Sequence, residues 1–366
     1  MRFLLRNNMI PDASLIHDDK INLKSTFLGF DLKYPIGLAP GIDLIGKGML
    51  NLNNLGFEFI EVGPLLDQSE NENKTNIYLS KDTKGKNIVH ENQENYFSVY
   101  FSLPHLQGAL LDLHRENKNL ILSTNLKISN KSLNTAPYMS DLLFIKSLQS
   151  IFHISDVITI NLSSYKSKAI LQYKNMNKFE KFMEKIKETV YYEMGVKAIL
   201  NYETLVPPKE GETKIFDLLN LQFQNTLIKY TRPKILLRLD TKLTNEDIKN
   251  YVELSKKSGI IDGIVVGGMT TKGGSDIYVA GESNREESTR ILKEFHTHTK
   301  GQLALISSGG ILTGEDIYER LRNGADLVLI YSPYIINGPY CMEKLIKELE
   351  EKMKNEGKFD IKSIKS

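Results

Sequence analysis

The stretch Gly301–Ser332, GQLALISSGGILTGEDIYERLRNGADLVLIYS, leaves this chain few folds to choose from. Its apolar run Leu303–Ile306 stops at Ser307-Ser308-Gly309-Gly310, and a helical segment, Gly314–Arg322, follows with Glu315 and Asp316 in its first turn. Acidic groups there suit the positive end of a helix dipole. Asn323-Gly324 ends the helix, and a second apolar run, Leu327–Ile330, leads into Tyr331-Ser332. Strand, glycine turn, helix and strand within about thirty residues make one βαβ unit. A glycine pair directly after a strand either just turns the chain or lets backbone N–H groups approach an anion closely. Loops after the last two strands of a (β/α)8 barrel are a common phosphate site, so the pairing of these two strand ends predicts a phosphorylated ligand.

The same alternation runs through the rest of the chain. Ile21–Leu28 and Phe30–Tyr34 flank Gly29 and read as a hairpin ahead of the main fold. Short apolar runs then recur at Ile36–Ala39, Phe57–Val62, Leu120–Thr124, Val157–Ile160, Ile235–Leu239 and Ile261–Val266. Helical stretches follow at Lys47–Leu55, His105–Glu116, Ser140–Ile151, Asn177–Glu193, Asn245–Ser258 and Glu286–His298, with Met342–Asn355 closing the chain. Eight alternations in 366 residues predict a closed (β/α)8 TIM barrel, with an open doubly wound sheet as the alternative. No GxGxxG follows the first strand, which argues against dinucleotide binding of the doubly wound kind. The division expected is an N-terminal extension and barrel-closing hairpin, 1–34, and a barrel, 35–366.

Three segments break the rhythm. Residues 66–104 are polar and turn-rich and read as a long excursion at a strand end, and Gly267–Asn284 reads as a glycine-rich polar loop. Residues 199–233 form an insertion before strand five, with Pro207-Pro208 and an apolar, helix-like stretch, Phe216–Ile228. Such an insertion packs on itself or offers a docking surface to a protein partner.

With 47 basic and 45 acidic residues the net charge is +2, which argues against nucleic acid as the main partner. The single cysteine, Cys341, excludes an internal disulfide framework. No apolar run approaches the ~20 residues of a membrane span, and MRFLLRNNMIPD is short for a secretory signal or transit peptide. His296 and His298 stand two apart on a helix and share no face, so no metal site is expected.

In PIGLAPGID (35–43), NLSS (161–164), IDGIVV (261–266) and above all 301–339, the chain resembles a known family. The last segment carries Gly-Gly, Gly-x-Asp, Arg-x-Gly-Ala, Leu-Val-x-x-Tyr and Gly-Pro in that family's order. The family is dihydroorotate dehydrogenase, of the quinone-reducing class, a flavin mononucleotide (FMN) barrel, and the likeness runs from about Arg2 to the C-terminus. The resemblance implies FMN, its phosphate held at Gly281, at Gly309-Gly310 and at Tyr331-Ser332. It also implies amide contacts to flavin or substrate from Asn125 and Asn161 and a flavin-ring contact at Arg238, where the family has lysine. Ser164 falls at the position of the catalytic base, which removes a proton from dihydroorotate while hydride passes to flavin. By the same resemblance the compartment would be mitochondrial.

The departures cluster on the substrate side. Gly41-Ile42-Asp43-Leu44 replaces Gly-Phe-Asp-Lys, and an isobutyl group cannot neutralise an anion as that lysine does. Tyr165-Lys166-Ser167 replaces the Pro-Asn-Thr that follows the catalytic serine, and Asp240-Thr241-Lys242 replaces Ala-Pro-Asp. Gly267-Gly268-Met269-Thr270 stands where the family has Thr-Asn-Thr-Thr, and of Asn-Arg-Tyr-Gly-Phe-Asn only Asn95 survives within His90–Asn95. Each polar group left without its partner costs about 1–3 kcal/mol. The sequence therefore predicts a barrel with a retained FMN cradle, a vestigial base at Ser164 and no parent activity, acting as a structural or accessory subunit of a larger assembly, with 199–233 as a candidate surface for it. An FMN-dependent oxidoreductase acting on dihydroorotate or a related substrate is the alternative, and a barrel for another phosphorylated ligand is a third.

Overall fold

A computed structural model describes residues 20–69, 76–82, 85–91, 96–129, 137–163, 172–205, 232–271 and 277–365. A short hairpin comes first, β1 (Ser25–Phe27) and β2 (Phe30–Leu32), antiparallel with Phe27 opposite Phe30. Its two-residue turn needs positive φ at both positions, and Leu28 (51°) and Gly29 (88°) supply it. The barrel starts with β3 (Ile36–Leu38), α1 (Met49–Asn54) and β4 (Phe59–Leu66). An excursion, β5 (Asn76–Asp82) and β6 (Gly85–Glu91), precedes α2 (Val99–Arg115). Next come β7 (Ile121–Lys127), α3 (Pro137–Phe152), β8 (Val157–Asn161) and α4 (Met176–Leu205). The second half runs β9 (Lys234–Arg238), α5 (Asn245–Ser258) and β10 (Ile261–Gly267), then a second excursion, β11 (Thr270–Thr271) and β12 (Ile277–Gly281). It finishes with α6 (Arg285–Thr299), β13 (Ala304–Ser308), α7 (Gly314–Arg322), β14 (Leu327–Ile330), α8 (Ser332–Asn337) and α9 (Cys341–Asn355).

Strands β3, β4, β7, β8, β9, β10, β13 and β14 close a parallel barrel in that order, β14 pairing back onto β3. All of them are the apolar runs read from the sequence, buried on both faces as a helix-wrapped parallel sheet requires. Side chains alternate in and out, and the inward set changes character along the axis. At the N-terminal end it is Phe59, Ile121, Val157, Leu236, Val265 and Ile306, a dry cluster closed from below by Phe27 of the hairpin. Phe27 meets Phe59 edge to face at 5.7 Å, and burying such a ring stabilises by about 1.5–3 kcal/mol. Two residues further on, the inward positions are Glu61, Ser123, Thr159 and Arg238, then Asn125 and Asn161, all buried. The polar end is where βα loops converge in this architecture.

Helix ends follow local chemistry. Thr244 and Asp247 form a capping box at α5, which ends at Gly259 in the left-handed region (φ 70°), and Thr313 and Asp316 form another at α7.

The structure departs from the sequence reading in several places. The 66–104 excursion holds a hairpin, and β6 pairs with β12, so β5, β6, β12 and β11 build one antiparallel sheet from two distant insertions. Helix α2 begins at Val99, capped by Ser98, and runs through Pro104, six residues ahead of the expected start at His105. Helix α4 runs on to Leu205, through the first part of the 199–233 insertion; the expected helix Phe216–Ile228 lies outside the described residues. No helix among the described residues is long and apolar enough to cross a membrane.

Candidate active site

The C-terminal ends of the barrel strands surround one cleft. Its phosphate side is lined by Ser308, Gly309, Gly310, Ile311, Tyr331 and Ser332, from the ends of β13 and β14. The backbones here are packed directly on one another. A Cβ on Gly309 would lie 2.5 Å from the Gly268 carbonyl oxygen, and one on Gly310 would lie 2.4 Å from the Arg285 backbone. Both glycines have positive φ, 81° and 68°, so a side chain is disfavoured there twice over. Among the described residues the N–H groups of Gly309, Gly310 and Ile311 meet no acceptor, which leaves them for an anion. Gly281 lies at the end of β12, paired with Asn87 of β6, and a Cβ there would come within 2.5 Å of the Lys86 carbonyl, while its neighbour Ala280 lines the cleft.

The floor is a chain of buried polar groups set by inward strand positions. Asn125 donates to Glu61 Oε1 at 2.6 Å, and Asn161 donates to Asn125 Oδ1 at 2.8 Å. Ser163 donates to Asn161 Oδ1 from its backbone N–H (3.0 Å) and its hydroxyl (2.7 Å). Arg238 reaches across the barrel, donating to Ser308 Oγ at 3.3 Å, with Nη1 3.5 Å from Glu61 Oε2. Those last two atoms have no hydrogen bond among the described residues, so the contact is a buried ion pair. Burial pulls the Arg238 guanidinium below its ordinary value, and Glu61 works against that. Arg238 and Asn161 line the cleft, whereas Asn125, fully buried, lies beneath them. Ser164 and 165–167 lie outside the described residues, as does Asn95.

The substrate side is built differently. Asp43 turns inward on its own loop, accepting from Gly46 N–H at 2.9 Å and Gly48 N–H at 2.7 Å. Burial nevertheless pushes its carboxyl up, against the downward pull of those N–H groups. Its neighbour Leu44 is not among the residues that line the cleft. Met269, 46 % exposed, does line it, beside Thr270, Asp240 and Lys242. Tyr331 lies across the mouth, its ring 5.9 Å from that of His90 and its Cε2 3.2 Å from where a Gly41 Cβ would be. Lys127, at the end of β7, sits 4.9 Å over the Tyr96 ring at the same opening.

The sequence profile of the family described as dihydroorotate dehydrogenase matches residues 22–353, nearly the whole barrel. The chain belongs to the dihydroorotate dehydrogenase family. Among curated relatives, the quinone-type dihydroorotate dehydrogenase of Pasteurella multocida is 25% identical over 89% of this chain and 86% of its own length. The mitochondrial quinone-type enzyme of Mus musculus is 22% identical over 95% of this chain and 80% of its own. In fold, the Eimeria tenella dihydroorotate dehydrogenase solved with ferulenol superposes with a TM-score of 0.79 at 21% identity, covering 99% of this chain and 92% of that one. Relatives thus include bacterial and mitochondrial members of one oxidoreductase family of pyrimidine biosynthesis. Members of the dihydroorotate dehydrogenase family are FMN flavoproteins, and the residues present suit the group at its phosphate end: three unengaged N–H groups after β13, glycines with no room for side chains, and the β14 loop opposite. Arg238 and Asn161 line the same cleft and could contact such a group.

Sequence reasoning missed Glu61 and the buried Arg320 behind Gly309. The signal was there for both. Glu61 is the lone charge in an apolar strand at an inward position, and Arg320 is one turn after Asp316 on the buried side of α7.

Proposed function

We propose that this dihydroorotate dehydrogenase-like barrel binds FMN through its β13 and β14 loops and has lost dihydroorotate oxidation. The single observation that supports this reading is the split within one cleft: the phosphate side keeps glycines with no space for a Cβ, while the substrate side presents Met269 and leaves Leu44 out of the lining. Bound FMN supplies a two-electron acceptor. The chain's own groups hold a cation, Arg238, and an ordered amide, Asn161, beside it. The loss proposed lies on the substrate side, where Leu44 and Met269 stand in place of polar residues of the family pattern. Its role is then that of a structural or accessory subunit in a larger, mitochondrial assembly, with 199–233 as the docking segment. The test is the visible spectrum of natively purified protein, followed by anaerobic addition of dihydroorotate. A stoichiometric flavin spectrum that does not bleach is the expected result. Turnover at an ordinary enzymatic rate, which for enzymes means about 1–1000 per second, would sink the loss of activity.

A second reading, a working FMN oxidoreductase on dihydroorotate or a related compound, draws support from the continuous chain Glu61–Asn125–Asn161–Ser163 under the cleft. Bleaching by dihydroorotate or a close analogue would select it over the first.

A further inference from the structure

Arg320 sits 1 % exposed on α7, outside the cleft lining, yet its side-chain hydrogen bonds to the described residues run to the walls of the phosphate site. Its Nη1 donates to Ser307 Oγ at 3.1 Å, and its Nη2 donates to the Gly309 carbonyl at 3.1 Å and to the Arg285 carbonyl at 3.0 Å. One nitrogen therefore ties the loop after β13 to the first turn of α6. The consequence lies in peptide geometry. The Gly309–Gly310 bond is trans, so a C=O aimed at Arg320 turns the Gly310 N–H the opposite way. Gly310 lines the cleft, and its N–H meets no acceptor among the described residues.

The rest of the brace is on the same helix face. Asp316, four residues before Arg320, holds Arg285 at 2.6 Å (Nε to Oδ1) and accepts from the N–H groups of Leu312 (2.9 Å) and Thr313 (3.0 Å). Arg320 is charged at neutral pH, although burial pulls its guanidinium down to about 10. A lysine could not reproduce this, because a point ammonium lacks the planar fork that spans three acceptors at fixed angles.

We infer that Arg320 is the positioning residue of the phosphate cradle, orienting the Gly310 N–H toward the phosphate of a bound flavin mononucleotide by anchoring the Gly309 carbonyl from behind. The inference rests on the FMN reading above. It predicts a defect confined to the phosphate, which a merely structural arginine would not give. The measurement is flavin affinity by fluorescence titration, with FMN and with riboflavin, which has the same ring and no phosphate.

Wild-type protein should prefer FMN strongly. Arg320→Gln should weaken FMN by about ten-fold or more, equivalent to 1.4 kcal/mol per decade, and leave riboflavin within about two-fold. Arg320→Lys should fall between. Ser307→Ala, a milder change at the other end of the guanidinium, should cost FMN about two- to five-fold and secures the test if the Gln variant does not fold. Equal weakening of both flavins, or of neither, in the folded variants would overturn the inference alone. Wild-type protein that binds neither flavin would remove the FMN reading and this inference with it.

Discussion

The two sides of the cleft differ in what holds them in place. The phosphate side is backbone on backbone, with Gly309 against Gly268 and Gly310 against Arg285, locked from behind by a buried arginine. The substrate side is side chains at strand ends, Met269, Asp240 and Lys242 among them, and these reach solvent. A change on the first side disturbs the packing of the barrel itself. A change on the second alters recognition and little else. The phosphate loops therefore keep their family pattern for reasons of folding as well as binding, while substrate contacts are free to drift. Retained glycines are accordingly weaker testimony for catalysis than retained substrate groups would be.

The largest effect expected is at Gly310. Gly310→Asp places a Cβ 2.4 Å from the Arg285 backbone at φ 68° and adds a negative charge beside the cradle. FMN binding should disappear in a fluorescence titration, a loss of at least about a hundred-fold, with strain adding about 1–3 kcal/mol to the cost of folding. Normal FMN binding by this variant would break the comparison outright.

Next comes the floor shared by both sides. Glu61→Ala strips the buried Arg238 of its counter-charge and leaves the Asn125 amide without its acceptor. Urea unfolding should show a loss of about 3–5 kcal/mol, and replacing both partners together, Glu61→Leu with Arg238→Met, should recover most of it. If the double variant is no better than the single one, the pair matters for more than its charges.

The smallest effect belongs to the substrate side. Leu44→Lys restores the family's residue type, but Leu44 does not line the cleft and its loop is fixed by Asp43. Stability should stay within about 0.5 kcal/mol and dihydroorotate should still fail to bleach the flavin. A gain of turnover would show that the substrate side needs one charge only.

Much of the fold was legible because it is written in apolar runs. Every barrel strand is a short run buried on both faces, and the hairpin announces itself by Gly29. What was not legible depends on pairing across distance. His90 finds Tyr278 in the sheet over the barrel mouth, and neither strand has the alternation that would mark it, so both segments read as loops. The site was legible at its glycines and at Asn125, Asn161 and Arg238, which stand at strand ends in a recognisable order. Their mutual engagement was not, since Glu61 joins Asn125 and Arg238 only once three strands are side by side. Gly281, read into the cradle by its place in a motif, ends a strand of that same sheet, next to Ala280 in the cleft lining.

The Phe27 hairpin has a consequence for traffic. It closes the barrel at the N-terminal end beneath a dry layer of side chains, so among the described residues the cleft opens at the opposite, C-terminal end of the strands. The rings of His90 and Tyr331 stand together in the lining at that end. For a ligand that passes them, the rate of exchange would be set at that pair, and residence time would change while the affinity of the pocket beneath stays the same.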